Sequence, residues 1–448
     1  MMSRKTRSII LIIAVAQIGL IIGLLALPKV VQAIPAHIRV RLPDPIVDRF
    51  SPPVPTLPAP NFTVNEPLAN LPNLFFDELP TLTPTLSPTP TYTPAAEPAE
   101  SNTPAPTATT TPTATPLPTA TPLPPQVRLE GLAVIRQSFN NCGPANLTQL
   151  LNFFGNSVTQ ADVAAYLKPN PQDRNVSPWQ LSDYVNQFTE LRSSAHSGGD
   201  IDLLRRLVAA GFPVVIEKGY EPNTSSSLGW FGHYLTVFGY DDARQEFVGL
   251  DTYLGPWDSR GSTEDYNGLY RRWQAFNYTF FVVYPPEQEA QVQAILGPGM
   301  LDPLTMWQNA ADRARTEIEA EPDSPFAWFN LGTNLTRLGE RTGEQRYYQE
   351  GAAAFDQARE IGLPPRMLWY QFRPYMAYMR VGRFDDMIAL ADGVLASEGG
   401  RYVEETFLYK GHALAYKGDI QGARQAYRQA LAVNENFYPA QWALDSLP

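Results

Sequence analysis

The sequence predicts an α+β domain, with helices before an antiparallel sheet, followed by an all-α superhelix of repeated helix pairs. Two observations favour this fold class. Helical patterns precede strand patterns between Val127 and Pro286, which is the order typical of an α+β domain. Beyond Pro286, apolar and small residues recur at helical spacing. A third observation separates these domains from the N-terminal part of the chain, because 25 of the 43 prolines lie between Pro28 and Pro125.

The first 33 residues are predicted to form a cytoplasmic basic tip and a transmembrane helix. Arg4, Lys5 and Arg7 precede Ser8–Leu27, an apolar run without charge. At about 1.5 Å per residue, a helix of that length nearly spans the hydrocarbon core of a bilayer. The basic flank predicts that the N-terminus stays cytoplasmic and that the rest of the chain is exported. We favour an uncleaved signal anchor of a single-pass cell-membrane protein; the alternative is a signal peptide cleaved after Ala33, which would give a secreted protein.

Residues 34–126 are predicted to form a disordered stalk rich in proline and threonine. From residue 80 to residue 125, the sequence repeats Thr, Pro and Ala, which cannot bury a core and offers few N–H groups to a sheet. At about 3.1 Å per residue in polyproline II, this part could reach on the order of 100 Å. The stalk would therefore hold the folded domains away from the membrane.

Residues 127–286 are predicted to form the α+β domain. Its helices have clear start signals, because Thr159 and Asp162 fit a capping box and Asp200 fits an N-cap. The segment Asp241–Arg244 separates two alternating apolar runs, which indicates a β-hairpin. In chain order, the predicted elements are a strand at Val127–Ile135, helices beginning near Cys142 and covering Thr159–Leu167, Ser177–Phe188 and Ile201–Ala210, and strands at Pro213–Glu217, His233–Tyr240, Gln245–Asp251 and Tyr278–Tyr284.

Cys142 is the only cysteine in the 448 residues, so the chain offers it no partner for a disulfide or for a thiolate metal site. Pro144 suits the first turn of a helix and Gly155 suits its C-terminal cap, which places Cys142 at the helix N-terminus. The unpaired N–H groups and the dipole at that end of a helix lower a thiol pKa. The alternative is a small buried apolar residue, which the flanking Asn-Asn and Gly-Pro pairs disfavour.

The predicted hairpin brings His233 close to Asp251. A turn of three or four residues places His233 directly opposite Asp251, or one position from it, at the open end of the hairpin. A carboxylate beside a histidine holds one ring N–H and stabilises the imidazolium. A cysteine nucleophile needs such a base and orienting group from elsewhere in the chain. The alternative for His233 is a structural histidine within a strand.

Three segments together resemble the bacteriocin-processing cysteine peptidases, which are papain-like domains that cleave after double-glycine leaders. These segments are Gln137-x4-Cys142-Gly143, Gly232-His233-Tyr234-Leu235-Thr236-Val237-Phe238-Gly239-Tyr240-Asp241 and Leu250-Asp251. The resemblance covers about residues 127 to 286 and implies a papain-like fold. The sequence has no ATPase domain or multi-span membrane domain like those of the transporter-linked members, so the resemblance leaves the substrate open.

The resemblance also implies catalytic roles. Cys142 would be the nucleophile, His233 the general base and Asp251 the group that orients the base. Gln137 would supply the side-chain amide of an oxyanion hole, beside the backbone N–H of Cys142. The alternative for Gln137 is an amide on a surface loop.

Residues 287–323 are predicted to form a connecting helix, and residues 324–448 resemble tetratricopeptide repeats. The segments that carry this resemblance are Trp328-x2-Leu331-Gly332-x2-Leu335, Phe355-x2-Ala358 and Ala423-x3-Tyr427-x2-Ala430. Gly382 and Gly418 are 36 residues apart, as are Ala358, Val394 and Ala430. Small residues where helices cross let helix pairs stack. Such repeats would bind a peptide or a partner protein on a concave surface; the alternative is that they only support the α+β domain.

Taken together, these patterns predict an exported, membrane-tethered cysteine peptidase that acts on a peptide or protein and needs no cofactor or metal. The net charge of −11 and the isoelectric point near 5.0 argue against a nucleic-acid partner. One alternative is a non-catalytic surface protein that uses a papain-like domain as a scaffold. Another is an amidase or acyl transferase on the same fold.

The predicted topology can be tested with protease added to intact cells. Because the folded domains would lie outside the membrane on an accessible stalk, protease should release them by cutting between residues 80 and 125. Immunoblotting of the released fragment would measure this. Full protection, in cells whose outer envelope admits the protease, would contradict the predicted orientation.

Overall fold

The computed structural model describes residues 122–221 and 229–448. The predicted membrane segment and residues 34–121 of the predicted stalk lie outside the described residues. In the part that is described, no helix is long and apolar enough to cross a membrane. The end of the predicted stalk already contacts the sheet, because the Tyr240 hydroxyl donates to the Pro124 carbonyl at 2.7 Å and the Asp242 N–H donates to the Pro125 carbonyl at 2.9 Å.

The described chain forms an α+β domain followed by a helical region. The strands are β1 (Gln126–Arg128), β2 (Arg192–His196), β3 (Val214–Tyr220), β4 (Phe231–Asp241), β5 (Glu246–Leu250), β6 (Ser262–Asp265) and β7 (Phe280–Tyr284). The helices of the domain are α1 (Cys142–Phe153), α2 (Gln160–Leu167), α3 (Pro178–Phe188), α4 (Ile201–Ala209) and α5 (Tyr266–Gln274). The later helices are α6 (Glu289–Leu296), α7 (Pro298–Leu301), α8 (Pro303–Ala320), α9 (Pro325–Thr342), α10 (Gln345–Ile361), α11 (Arg373–Arg380), α12 (Phe384–Ala396), α13 (Glu404–Tyr416), α14 (Ile420–Val433) and α15 (Tyr438–Asp445).

The strands form one antiparallel sheet in the order β2-β7-β3-β4-β5-β6, and β1 pairs with the last residues of β4. Successive side chains of a strand point to opposite faces, and both faces of this sheet are covered. Val215 packs with α1, α2 and α3 on one face, whereas Val214 and Ile216 pack with α4 and α5 on the other. The central strands are therefore apolar on both sides, and α1 is buried between the sheet and its neighbouring helices.

The four helices predicted for this domain are present, whereas α5 was not predicted. Helix α2 begins after Thr159, whose side chain forms the predicted capping box with Asp162. Helix α3 has Pro178 in its first turn, and α4 is capped by Asp200, whose carboxylate accepts from the Leu203 N–H at 2.7 Å. The local capping chemistry is sufficient to set where these helices begin.

The strand predictions needed correction. The predicted strand Val127–Ile135 is only Gln126–Arg128, because the ladder with β4 pairs three residues and ends with the bond from the Leu129 N–H to the Phe238 carbonyl. Strands β2 and β6 were not predicted. Their sequences, Arg-Ser-Ser-Ala-His and Ser-Thr-Glu-Asp, are polar because both strands lie at edges of the sheet and are partly exposed.

The predicted hairpin of β4 and β5 exists, but its register was wrong. Thr236 pairs with Leu250, and a β-bulge between Val237 and Gly239 shifts the register within the hairpin. Strand β5 ends at Leu250, so Asp251 lies in the turn that follows the strand rather than in the ladder opposite His233. The alternation of apolar and polar residues in the sequence did not indicate the bulge or the turn.

The helical region stacks consecutive helix pairs. Gly382 and Gly418 have positive φ angles of 74° and 84°, and each lies in the turn between two helices of a pair. The three residues spaced by 36 positions are all buried, namely Ala358, Val394 and Ala430. Equivalent sequence positions therefore occupy buried positions in successive pairs; assignment to the tetratricopeptide class stays a prediction.

The helical region packs closely on the α+β domain near the start of β4. Trp230 stacks on Phe276 with ring centroids 5.6 Å apart, and both rings belong to the α+β domain. From the helical region, Phe326 lies 6.1 Å and Tyr370 6.0 Å from the Trp230 ring. The apolar cover of Trp230 and Phe276 is thus supplied across the interface.

Buried polar contacts join the same two parts of the chain. The Asn277 side chain donates to the Asn334 side chain at 2.6 Å. At the other end of the interface, buried Glu405 accepts from Asn175 at 3.1 Å and from Ser177 at 3.2 Å. Groups buried in this way are costly to leave without partners.

A chain that ends at Pro286 tests how much the helical region supports the domain. The sheet and its helices close a core of their own, so we expect cooperative unfolding. The loss of cover over Trp230 and Phe276 should lower the Tm by roughly 5 °C or more. Calorimetry of the two chains measures this. Equal Tm values would contradict a supporting role, and loss of cooperative unfolding would contradict an independent domain.

Candidate active site

The N-terminus of α1 is left without a side-chain cap. Cys142 is the first helical residue, and the side chain of the N-cap residue Asn141 makes no capping hydrogen bond. Asn140 turns the chain into the helix with a φ angle of 56°. A Cβ on Gly143 would lie 3.2 Å from Val176 and 3.6 Å from Tyr234, so glycine allows the helix end to approach the sheet closely. Uncapped N–H groups beside a thiol favour its negative form and can also bind a developing oxyanion.

His233 and Asp251 form a buried pair. The His233 Nε2 and Asp251 Oδ1 atoms are 3.0 Å apart, and both side chains are almost completely buried. Asp251 Oδ1 also accepts from the N–H groups of Tyr253 at 2.9 Å and Leu254 at 2.7 Å. The turn after β5 therefore fixes the carboxylate, and the carboxylate fixes the imidazole ring.

The His233 imidazole also lies close enough to the Cys142 thiol to stabilise its thiolate form by hydrogen bonding and charge. Because Nε2 of His233 bonds Asp251, Nδ1 is the ring nitrogen that remains for the thiol. Burial opposes the thiolate, but the hydrogen bond to His233 and the charge of that ring outweigh it, so the pKa of Cys142 is lowered. Burial also opposes the imidazolium, yet Asp251 and Cys142 raise the pKa of His233 to about 9. The site favours a thiolate beside an imidazolium.

Asn146 connects the elements that carry these groups. It lies one turn after Cys142 in α1 and is completely buried. Its amide nitrogen donates to the Cys142 carbonyl at 2.8 Å, to the Tyr234 carbonyl at 3.2 Å and to the Thr252 hydroxyl at 3.3 Å. Its amide oxygen accepts from the Thr236 hydroxyl at 2.6 Å. One side chain thus ties α1 to β4 and to the turn that follows β5.

Gln137 is anchored to the residue after Asp251. The backbone N–H of Gln137 donates to the Thr252 carbonyl at 2.9 Å, and its side-chain oxygen accepts from the Thr252 hydroxyl at 2.8 Å. The second bond orients the side chain and leaves its NH₂ group as the free end for donation. Gln137 is therefore held to the same turn as Asp251.

Two further buried groups influence the thiol. Lys168 donates to the Asn140 carbonyl at 3.0 Å and to the Asp173 carbonyl at 2.9 Å, and its positive charge helps to lower the pKa of Cys142. Glu217 has a strongly raised pKa, first because of burial and second because of the nearby Cys142 charge. Because Glu217 is neutral, its carboxyl group does not repel the negative charge of the Cys142 thiolate.

The sequence identified the four candidate residues but missed Asn146, Thr252 and Lys168. Asn146 had one usable signal, since a residue four positions after Cys142 lies on the same helix face. Thr252 and Lys168 act through contacts distant in sequence, which no local pattern indicates. Within residues 122–221 and 229–448, no three His, Cys, Asp or Glu side chains are grouped so as to hold a metal ion.

The α+β domain is similar to a family of peptidase-like proteins. Residues 123–280 match the Peptidase_C39 like family. A solved structure from Bacillus anthracis, described as a putative C39-like peptidase, shares 18% identity with a TM-score of 0.30, and the match covers 36% of this chain and 97% of that chain. No curated protein matches the chain. The family match ends within β7, so the helical region lies outside it.

Replacing Asn146 by Ala tests whether this side chain assembles the site. The change removes one hydrogen bond each from the Cys142 and Tyr234 carbonyls and from the Thr236 hydroxyl, so it should lower the free energy of unfolding by about 2–3 kcal/mol. It should also slow alkylation of Cys142 by iodoacetamide near neutral pH, because α1 and β4 are no longer fixed together.

The matched control for Asn146→Ala is Asn152→Ala. Asn152 lies in the same helix, but its side chain bonds only the backbone of Val158. This variant should lose stability and keep the wild-type alkylation rate. Equal alkylation rates for Asn146→Ala and the wild type would contradict an assembling role.

Proposed function

We propose that this protein is a cysteine peptidase in which Cys142, His233 and Asp251 act as a catalytic triad. The observation that carries this proposal is the position of His233, which is hydrogen-bonded to a fixed carboxylate and lies close enough to the only thiol to lower its pKa. A nucleophile, its base and an orienting group in one chain of contacts are the arrangement that covalent acyl transfer requires. The match of residues 123–280 to a peptidase family supports the same class.

In the proposed mechanism, the Cys142 thiolate attacks the scissile carbonyl carbon, and the carbonyl oxygen becomes an oxyanion. The backbone N–H of Cys142 and the NH₂ group of Gln137 would bind that oxyanion. The His233 imidazolium then gives its proton to the leaving amine as the C–N bond breaks. Neutral His233 next takes a proton from water, which attacks the thioester, and release of the carboxylate product restores the thiolate and the imidazolium.

We also propose that the N-terminal segment tethers the enzyme to the membrane and that the helical region takes part in binding a substrate or partner. The apolar run Ser8–Leu27 supports tethering. The buried interface between the helical region and the α+β domain supports a shared surface for binding. An amidase or acyl transferase would use the same catalytic groups and would differ only in the amide bond or in the acceptor.

Variants of the four site residues test the proposed roles. Cys142→Ala should abolish peptide hydrolysis, and His233→Ala should have nearly the same effect, because a nucleophile and its base act as a unit. Asp251→Asn should be milder, and Gln137→Ala should lower kcat by about 10²–10³ if it binds the oxyanion. Mass spectrometry of cleaved peptides gives the rates, and circular dichroism checks the fold. Full activity of folded Cys142→Ala would exclude the mechanism, and absence of hydrolysis by the folded wild type would favour the non-catalytic scaffold.

The pH profile of kcat/KM tests the protonation states. The active form needs Cys142 without its proton and His233 with its proton. The rate should therefore rise through the lowered pKa of Cys142 and fall near pH 9, where His233 loses its proton.

Removing the Asp251 charge should shift the alkaline limb of this profile. In Asp251→Asn, His233 loses its main stabilising charge, so the limb should move to lower pH, whereas Asp258→Asn, at an exposed site, should leave it unchanged. A wild-type rate that rises only through about pH 6.5 and never falls would indicate a neutral histidine base instead.

A further inference from the structure

Among the described residues, Arg174 carries a charge that has no carboxylate partner. Its guanidinium makes one long contact, at 3.5 Å from Nη1 to the Asn140 side chain, and its Nε atom is buried without a hydrogen bond. The acidic residue that influences its charge is the exposed Glu398. A largely desolvated guanidinium without a carboxylate is unusual in a chain whose net charge is −11.

Aromatic rings surround this guanidinium. The ring of Phe139 lies 5.2 Å from its central carbon, and the rings of Tyr402 and Trp369 lie 5.9 Å and 6.0 Å away. Phe139 belongs to the loop before α1, whereas Tyr402 and Trp369 belong to the helical region. Aromatic faces stabilise a cation without neutralising it, so the charge remains available to an anion.

The guanidinium also lies close to the catalytic groups. Asn140, which it contacts, is two residues before Cys142. The Tyr370 ring packs against Gly232, the residue before His233, and the charges of Cys142 and Arg174 both act on the Tyr370 hydroxyl. Arg174 therefore contacts the segment that leads into Cys142, and Tyr370 packs against the segment that leads into His233, one from each part of the chain.

On the basis of the proposed function, we propose that Arg174 binds a carboxylate of the peptide substrate in a subsite built jointly by the α+β domain and the helical region. The planar guanidinium suits a carboxylate, with which it can form two parallel hydrogen bonds. The rings of Phe139 and Trp369 would contact the apolar part of the same substrate residue. The carboxylate is either an Asp or Glu side chain or the C-terminus of the substrate.

Hydrolysis of matched peptides by the full chain tests the proposal. The set has an otherwise neutral sequence in which Glu or Gln occupies each position in turn, and each peptide ends in a free carboxylate or an amide. We expect a preference for Glu at one position or for the free C-terminus. The comparison of Glu with Gln detects a side-chain carboxylate, and the comparison of the free C-terminus with the amide detects a C-terminal carboxylate. Arg174→Gln should lower the ratio of kcat/KM for the preferred peptide to kcat/KM for its neutral counterpart about tenfold or more.

Two further variants give the controls. Arg401→Gln removes the same charge from an exposed position next to Tyr402 and should keep the preference. Arg174→Lys retains the positive charge but lacks the planar guanidinium, so it should keep part of the preference. This result would separate loss of charge from loss of the folded structure. No preference in the wild type, or a preference that survives in Arg174→Gln, would overturn the proposal.

A second readout does not depend on hydrolysis. Iodoacetate and iodoacetamide alkylate the same thiol but differ in charge, so the ratio of their rates reports the local field at Cys142. Arg174→Gln should lower this ratio about threefold or more, and Arg401→Gln should not change it. If no peptide is cleaved, the proposed function fails, while an unchanged alkylation ratio would still refute an anion site at Arg174.

Discussion

The candidate site depends on one buried amide. Asn146 makes four hydrogen bonds, and they join the first turn of α1 to β4 and to the turn that follows β5. Each of these elements carries one reactive group, because Cys142 opens α1, His233 lies in β4 and Asp251 begins the turn. Asn146, Thr236 and Thr252 are fully buried, so arrangements that remove these hydrogen bonds are costly. The geometry of the three groups is therefore set by packing and hydrogen bonding outside the triad itself.

The helical region contributes a second constraint on the same groups. It covers the start of β4 through Tyr370, whose ring packs against Trp230 and Gly232. A Cβ on Gly232 would meet the Phe276 ring at 2.6 Å and the Tyr370 ring at 3.1 Å, so only glycine fits between the two parts of the chain. His233 follows this tightly packed glycine. The position of the proposed base is thus linked to a region that lies outside the family match.

Local chemistry in the sequence was enough to predict much of the fold and the candidate residues. Capping residues such as Thr159 and Asp200 act within one helical turn, so they could be read directly. The position of Cys142 at the start of a helix and the proximity of His233 to Asp251 were also predicted. The predicted hairpin register was wrong because of the bulge at Phe238. The contacts of Asn146 and Arg174 could not be predicted, because they join residues brought together only by tertiary packing.

The central claim is that Cys142 and His233 exist as a thiolate and an imidazolium near neutral pH. Because the chain has one cysteine, the difference in ultraviolet thiolate absorbance between the wild type and Cys142→Ala reports this residue alone. We expect that absorbance to be present at pH 7, to disappear on acidification and to require His233, since the ring outweighs the effect of burial on the thiol. An absorbance that develops only around the ordinary thiol pKa of about 8.5, with the same profile in His233→Ala, would contradict the ion pair.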